Sequence, residues 1–331
     1  MSLPVSLLRV LSQTSAREAW TAILNATSDI CSPDLPSTGA ANEITSRDRR
    51  VADLDLFLSS AGWDLWSAFE ANTEHAADAI ASWWASQSGG RAVLILDGLS
   101  LREMPWILQQ VAARGYSVYG FRVTTAELPA DTTSFARALG FSQRSSLENN
   151  QAGSGHKLVG ARTDSVQIPF KDCASLIGAE QRWVLWHHWP DVRLHALSEA
   201  GQGLNILSSE VETQLKSDDF WGLVHRLTTG RRLIITSDHG YGASGLFSDT
   251  RDDQGDHLKQ IFKSGRFAPG SNGDGPWVPP VSMAISSRNG TNQYALGRRK
   301  WKSPGGYPTL VHGGLSVLET MVPFIEVGRR D

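Results

Sequence analysis

The chain has 331 residues, 40% of them hydrophobic, and this predicts a globular protein with one large α/β domain or two small domains. Its formal net charge of −3 at pH 7 excludes an overall positive field for nucleic acid, and no segment approaches the ~20 apolar residues of a membrane-spanning helix. The two cysteines, Cys31 and Cys173, are too few for a disulfide framework. The apolar run at residues 2–8 is too short for a signal peptide, so we expect a cytoplasmic protein without a membrane segment.

The first 88 residues predict a helical N-terminal extension. Residues 1–30 have the apolar spacing of an amphipathic helix, and the turn-rich residues 31–47 predict a loop. Apolar residues recur at helical spacing from Arg49 to Ser86, and Gly89-Gly90 ends this block. We therefore divide the chain into an extension at residues 1–88 and an α/β catalytic domain at residues 89–331.

The pattern after residue 89 alternates between strands and helices. Strands are predicted near residues 92–96, 116–123, 183–186, 233–235 and 322–327, and helices near residues 101–114 and 206–228. The continuous apolar run at residues 92–96 is typical of a strand buried on both faces of a parallel sheet. Residues 142–156 and 264–275 are rich in Gly, Ser and Asn and are predicted to be mobile. This order predicts an α/β fold with a mostly parallel central sheet flanked by helices.

Three of the predicted strands lead to an aspartate at or beyond their C-terminal ends, namely Asp97, Asp191 and Asp238. Ligands bind at this edge of an open α/β sheet, so these carboxylates can meet although they lie far apart in sequence. Histidines accompany two of them, because His239 follows Asp238 directly and His195 lies four residues after Asp191. His312, before two glycines, is a further candidate. Oxygen and imidazole donors without thiolates suit catalytic Zn²⁺ or Mn²⁺.

The order of these residues resembles the alkaline phosphatase superfamily, and within it the PglZ-type domains of bacterial defence systems. The superfamily pattern is a strand-end Asp, a Ser or Thr nucleophile heading a helix, Asp-x-x-x-His, Asp-His and a final lone His. The similar segments here are VLILDGL at 93–99, LPADT at 128–132, TSDHGY at 236–241 and HGGLS at 312–316. The resemblance covers about residues 90–328, implies an alkaline-phosphatase-like fold there, and does not extend to the first 85 or so residues.

This resemblance implies a phosphoryl-transfer hydrolase, a phosphodiesterase or a phosphatase, with two divalent metal ions. The ions would be Zn²⁺, with Mn²⁺ as the alternative. One ion would be held by Asp97, Asp238 and His239, and the other by Asp191, His195 and His312. The implied partners are a phosphate ester, with nucleotides or nucleic acids as candidates, and other proteins of an anti-phage defence system.

The nucleophile implied by the resemblance is Thr132 or Thr133. Counting from Pro129 favours Thr132, whereas counting back from Arg137 favours Thr133. A hydroxyl beside metal ions becomes a better nucleophile as its pKa falls, and a helix start offers backbone N–H donors to a phosphate. The alternative role for either threonine is plain N-capping of the helix. Ser100 is a more distant candidate for the nucleophile.

Two further readings of the ligand set remain open. A catalytically degenerate scaffold could use the fold to dock partners in a defence complex, but it would have no need to keep every ligand. A sulfatase or a phosphomutase could also use this fold. Neither Cys31 nor Cys173 has the sequence context of a sulfatase nucleophile, and the span from Thr133 to Asp191 is short for a phosphomutase cap.

The basic residues favour a diester substrate. Apart from Arg193 and Arg231-Arg232, no Lys or Arg run adjoins the candidate ligands, and a diester needs less positive charge than a monoester dianion. The run from Arg298 to Lys302 is predicted to be a solvated surface, with contact to a polyanionic substrate as the alternative. Arg102 is expected to be solvated, with contact to a phosphate as its alternative.

Overall fold

The N-terminal part of the chain is helical. The computed structural model describes residues 3–86, 88–198, 203–243, 250–302 and 309–330. Its first helices are α1 (Val5–Gln13), α2 (Ala16–Cys31), α3 (Ala40–Ser60), α4 (Phe69–Asn72) and α5 (Ala76–Ser86), with a 3-10 helix at Trp63–Ala68. The loop predicted at residues 31–47 therefore extends too far, because residues 40–47 belong to α3. Helix α3 begins at Ala40 because its buried stripe, with Ile44 and Val51, extends upstream of Arg49.

A six-stranded sheet forms the centre of the molecule, and smaller sheets lie outside it. The strands of all these sheets, within the described ranges, are β1 (Gly90–Leu96), β2 (Tyr116–Thr125), β3 (Arg162–Val166), β4 (Arg182–His187), β5 (Arg231–Thr236), β6 (Gly242–Ala243), β7 (Phe267–Pro269), β8 (Ser282–Ser287), β9 (Gly290–Ala295), β10 (Leu310–Val311) and β11 (Met321–Arg329). The central sheet has the order β2-β11-β5-β1-β4-β3, and β11 alone in this sheet runs antiparallel to its neighbours. A mostly parallel central sheet flanked by helices is thus confirmed.

Eight helices follow β1. They are α6 (Met104–Ala113), α7 (Thr132–Ala138), α8 (Phe170–Leu176), α9 (Asp191–Leu197), α10 (Gly203–Lys216), α11 (Asp218–Thr228), α12 (Asp252–Phe262) and α13 (Val317–Thr320), within the described ranges. The single helix predicted near residues 206–228 is wrong, because Ser217 accepts a hydrogen bond from the Phe220 N–H and begins α11 as a new helix.

The two segments predicted to be mobile contain ordered elements. A 3-10 helix spans Arg144–Asn150 and is tied to β3, since the Thr163 hydroxyl donates to the Leu147 carbonyl at 3.0 Å. Strand β7 lies in the second segment and pairs with β9. Gly, Ser and Asn in these segments therefore mark turns rather than a lack of structure.

Hydrophobic layers cover both faces of the sheet. Alternate residues of β1 point to opposite faces, so Leu94 packs in one core with α2 and α3, whereas Val93 packs in a second core with α5 and α7. Residues of the N-terminal extension therefore share both cores with the sheet. The division at residue 88 stays a prediction. No helix in the described ranges combines the length and the apolar character needed to cross a bilayer.

Candidate metal centre

The three strand-end aspartates meet because β5, β1 and β4 are neighbours in one sheet. Asp97 follows β1, and its carbonyl oxygen accepts the Asp191 N–H at 2.9 Å. Gly98 then turns the chain with φ of 74°, a conformation that favours glycine, and its N–H donates to Oδ1 of Asp238 at 3.1 Å. A backbone hydrogen bond and a backbone-to-carboxylate hydrogen bond thus join all three aspartate-bearing segments.

Asp97, Asp238 and His239 are fully buried at the centre of this cleft. Nε2 of His239 lies 3.5 Å from Oδ1 of Asp97 and 3.7 Å from Oδ2 of Asp238. Burial raises the pKa of Asp238 to about 7, and the neighbouring charge of Asp97 adds to the effect. Burial opposes protonation of His239, but the carboxylates of Asp238, Asp97 and Asp191 raise its pKa well above the usual range. The centre therefore crowds carboxylates together away from bulk water, where their negative charges repel one another.

Asp191, His195 and His312 form the outer part of the cleft. Asp191 and His195 lie one turn apart on α9, which places His195 Nε2 3.3 Å from Oδ2 of Asp191. Nε2 of His312 lies 3.8 Å from Oδ1 of Asp191, and the His312 ring stacks on His239 at 4.3 Å between centroids. The His195 side chain is 60% exposed, so the cleft opens to solvent on this side.

The residues of the cleft fit divalent cations. Ligand atoms of Asp97, Asp191 and His239 lie within 4.8 Å of one another, as do those of Asp191, His195 and His312. Three buried atoms, Oδ1 of Asp191, Nε2 of His239 and Nδ1 of His312, have no hydrogen-bond partner among the described residues. Such unpartnered atoms are costly unless they bind a ligand.

All six predicted ligands are thus brought together, although their grouping differs from the expected one. Asp191 belongs to both geometric groups, whereas Asp238 lies beside the first. The assignment of each residue to a metal stays a prediction.

The structure places the two candidate nucleophiles differently. Oγ1 of Thr132 donates to Oδ2 of Asp238 at 3.0 Å and lies 3.4 Å from Oδ1 of Asp97. Thr133 is exposed. Neither threonine is the N-cap, because Asp131 occupies that position and accepts the Ser134 N–H at 2.7 Å. Ser100 is occupied otherwise, since its hydroxyl accepts hydrogen bonds from Arg102.

Two side chains in contact with Asp97 were not found from the sequence. Arg144 contacts Oδ2 of Asp97 through Nη1, and the indole N–H of Trp186 donates to the same oxygen at 3.2 Å. Arg144 lies 47 residues after Asp97, in a segment predicted to be mobile. No local pattern could have identified it. The preference for diesters rested on the lack of a basic run beside the ligands in sequence, and with Arg144 at the site it stays a prediction.

The other basic residues singled out in the sequence are paired elsewhere. Arg193 forms two hydrogen bonds of 2.7 Å with Glu210, and Arg231 donates to backbone carbonyls at the opposite edge of the sheet. Arg298 and Arg102 are fully buried, and both contact Asp48. The predicted solvated positions of Arg298 and Arg102 are therefore wrong, whereas Lys302 is exposed as predicted. Both arginines can be buried because they form ion pairs with carboxylates of α3, which lie far away in sequence.

His187, the last residue of β4, and the following His188 both have hydrogen-bond partners. Nε2 of His187 lies 2.8 Å from the Ile168 carbonyl, and burial lowers its pKa to about 4. Nε2 of His188 lies 2.9 Å from the Ser165 hydroxyl. These contacts agree with hydrogen-bonded packing rather than metal binding.

No protein-family model matches the chain, and no curated protein matches it. Among solved structures, two of murine ectonucleotide pyrophosphatase/phosphodiesterase 5 are similar at 12% sequence identity, each covering 73% of this chain and 88% of the other. The TM-score is 0.46 for an inactive variant in complex with AMP and 0.44 for the second structure. The α/β architecture described above rests on the strand order and pairing of this chain itself.

Proposed function

We propose that this chain is a metal-dependent phosphoryl-transfer hydrolase, a phosphatase or phosphodiesterase, with Thr132 as its nucleophile. The position of the Thr132 hydroxyl, 3.0 Å from Asp238 at the start of α7 and next to Asp97, supports this most. The motif order of the alkaline phosphatase superfamily adds to the support, because each motif residue falls in the same cleft.

Two divalent ions, Zn²⁺ or alternatively Mn²⁺, would be held by the six ligands. Asp97, Asp238 and His239 face the Thr132 side of the cleft, whereas His195 and His312 face Asp191 on the open side. When bound, such ions lower the pKa of a hydroxyl and stabilise the charge on phosphoryl oxygens. Three carboxylates in one buried site repel one another, which favours cation binding there.

The residues of the chain would orient the reaction as follows. Asp238 and Asp97 accept from the Thr132 hydroxyl and fix its oxygen at the start of α7. In the first step Oγ1 bonds to phosphorus, the ester bond to the leaving oxygen breaks, and the proton of the Thr132 hydroxyl passes to the leaving oxygen. In the second step a water oxygen bonds to phosphorus, the bond to Oγ1 breaks, and a proton from this water restores the hydroxyl. Arg144 would offer its positive charge to the phosphoryl oxygens.

Esterase assays on metal-free and metal-loaded protein test this function. Chelation should abolish hydrolysis of nitrophenyl phosphate and bis-(nitrophenyl) phosphate, and Zn²⁺ or Mn²⁺ should restore it. Thr132→Ala should lower kcat by about 10³-fold or more, as losses of a nucleophile do, while the neighbouring Thr133→Ala is the matched control and should stay near wild type. Full activity of both variants would exclude the threonine mechanism. Inactivity of the loaded wild type on both esters would favour the degenerate scaffold.

The PglZ resemblance supports a more specific proposal, a cytoplasmic role in anti-phage defence with other proteins of the same system. A nucleotide or nucleic-acid phosphate ester would then be the substrate. The test compares phage plating on cells that carry the native gene neighbourhood with wild-type protein or with Asp238→Asn. Fewer phage plaques on the strain with wild-type protein than on the strain with Asp238→Asn would support the role, whereas equal numbers on both strains would contradict it.

A further inference from the structure

A buried ion network joins the N-terminal extension to the candidate metal centre. Its carboxylates are Asp48 and Asp55, which lie two turns apart on one face of α3. Its arginines are Arg102 and Arg298. All four side chains are at least 99% buried. The cost of burying four charges offsets most of the attraction within the ion pairs, so stability alone does not account for this network.

Asp48 binds the segment that follows Asp97 and the segment that follows His239. Its Oδ1 contacts Nη1 of Arg102, five residues after Asp97. Nη2 of the same arginine donates to the carbonyl of Tyr241, two residues after His239, at 2.5 Å. The Arg102 guanidinium also lies 4.2 Å from the centroid of the Tyr241 ring. One arginine therefore connects α3 to two ligand-bearing turns.

Asp55 binds the segment that follows His312. Its Oδ1 accepts the N–H of Val317, five residues after His312, at 2.6 Å. Its Oδ2 accepts from Nε of Arg298 at 2.6 Å, and Nη1 of Arg298 donates to Asp48 at 2.7 Å. The chain just before Arg298 is itself bound to the His312 segment, since the Gly297 N–H donates to the Leu315 carbonyl at 2.8 Å.

We infer that Asp48 and Asp55 are positioning residues for the candidate metal ligands: through Arg102 and Arg298 they hold the turns that carry Asp97, His239 and His312. This inference rests on the proposed metal-dependent function. It assigns a role to the extension, whose sequence carries no motif of its own. The network has two arms, which meet where Arg298 donates to Asp48 as well as to Asp55. Asp48 and Arg102 contact the Asp97 and His239 segments, whereas Asp55 binds the His312 segment directly. Without Asp55 and Arg298, the Asp48–Arg102 pair keeps its own contacts, so the two arms can be separated.

The division predicts a selective loss of metal binding. The variant Asp55→Asn/Arg298→Gln removes one buried pair without leaving either charge alone, and such exchanges are tolerated in protein interiors. Affinity for the ion at His195 and His312 should fall about 10- to 100-fold, as it does when the partners that orient metal ligands are lost. Affinity for the ion at Asp97 and His239 should stay close to wild type.

Binding is measured on the full chain by titrating Co²⁺ into metal-free protein and following visible absorption, with a competing chromophoric chelator for the affinities. The absorption bands report the ligand geometry of each ion, which a loss of overall stability does not change by itself. Leu58→Ala is the matched control, because Leu58 is buried on the same helix and lies in the hydrophobic core. It should lower the melting temperature without separating the two affinities.

Three outcomes would overturn the inference or its premise. Wild-type protein that binds no Co²⁺ rejects the proposed function itself. Wild-type protein that binds two ions, with a double variant that binds both as tightly, rejects the positioning role alone. The positioning role is also rejected if Leu58→Ala, with the same melting temperature as the double variant, shows the same selective loss of affinity for the ion at His195 and His312. Should the double variant not fold, Arg298→Lys keeps the buried charge but loses the paired contacts, and a selective, smaller loss of the second ion is expected.

Discussion

Side chains from four different segments contact the carboxylate of Asp97. Thr132, Trp186, His239 and Arg144 all reach its carboxylate. A single strand-end aspartate thereby gathers a hydroxyl, an indole N–H, an imidazole and a guanidinium around one point. That combination suits the proposed phosphoryl transfer, because it places a hydroxyl and positive charge side by side.

Arg144→Gln should change the preference between esters. A monoester dianion requires more positive charge than a diester monoanion, so the variant should lose about tenfold or more in kcat/KM for nitrophenyl phosphate and less for bis-(nitrophenyl) phosphate, given that a hydrogen bond to a charged group contributes roughly 1.5–3 kcal/mol. The measurement is the ratio of the two kcat/KM values in wild type and variant. Arg137→Gln is the control, as Arg137 is exposed on α7. Equal losses for both esters would exclude a role of Arg144 in this discrimination.

The predictability of individual residues depended on whether they carry a local pattern. The aspartates were predictable because each follows a buried strand, and His239 and His195 were predictable from their spacing to them. Arg144 was not, since its contact with Asp97 forms only when the 3-10 helix docks on β3. Arg298 was wrongly predicted to be solvated, because its buried partners Asp48 and Asp55 lie more than 240 residues away in sequence.

At the scale of secondary-structure elements, the turn after β5 shows how closely the ligand segments pack. The N–H of Gly240 donates to the Glu319 carbonyl at 3.1 Å, and the Glu319 carboxylate accepts the Gly314 N–H at 2.9 Å. Helix α13 thus lies between the His239 turn and the His312 loop. A Cβ at residue 240 would overlap the carbonyl oxygen of Leu318, so only glycine fits there.

Gly240→Ala should therefore destabilise the protein by roughly 1–3 kcal/mol, the usual cost of overpacking, and displace His239. Gly222→Ala is the matched exchange, because a Cβ at this position of α11 meets no atom within 4 Å. It should raise the unfolding free energy by about 0.5–1 kcal/mol, as glycine costs entropy in a helix. Urea unfolding of the metal-free proteins measures both. A Gly240→Ala variant with the unfolding free energy of wild type would show that the turn is not tightly packed.

The sequence predicted most elements of the sheet but not every boundary or direction. Continuous apolar runs identified the buried parallel strands, since such strands have no polar face. The antiparallel direction of β11 could not be predicted, because it depends on pairing with β2 and β5 far along the chain. The break between α10 and α11 was not predicted, because Ser217 lies in an otherwise continuous helical pattern of apolar residues.

At the scale of the whole molecule, stability is coupled to a carboxyl group outside the metal centre. Glu127 is buried, its Oε1 accepts the Ala77 N–H at 3.3 Å, and its Oε2 has no partner among the described residues. Burial raises the pKa of Glu127 from 4.5 to about 8. Between these values the folded protein binds a proton that the unfolded chain has released, so the unfolding free energy falls as pH rises through this window.

Glu127→Gln cannot ionise and should lose this part of the pH dependence. From pH 5 to pH 8 the stability of the variant relative to wild type should rise by roughly 3 kcal/mol, because one pKa unit corresponds to about 1.4 kcal/mol and only wild type must release this proton. Unfolding free energies at pH 5, 6.5 and 8, measured with chelator present, give the comparison. Parallel pH profiles for wild type and variant would show that Glu127 does not titrate in this range.

The central claim concerns the whole cleft, namely that six residues from four segments form one centre for two metal ions. Anomalous scattering from crystals of Zn²⁺-loaded protein, recorded on both sides of the zinc absorption edge, tests it most directly. We predict two peaks in the cleft, each about 2 Å from its ligand atoms, one beside Asp97 and His239 and the other beside His195 and His312. A cleft without a peak, or peaks bound only by residues elsewhere on the chain, would contradict the account.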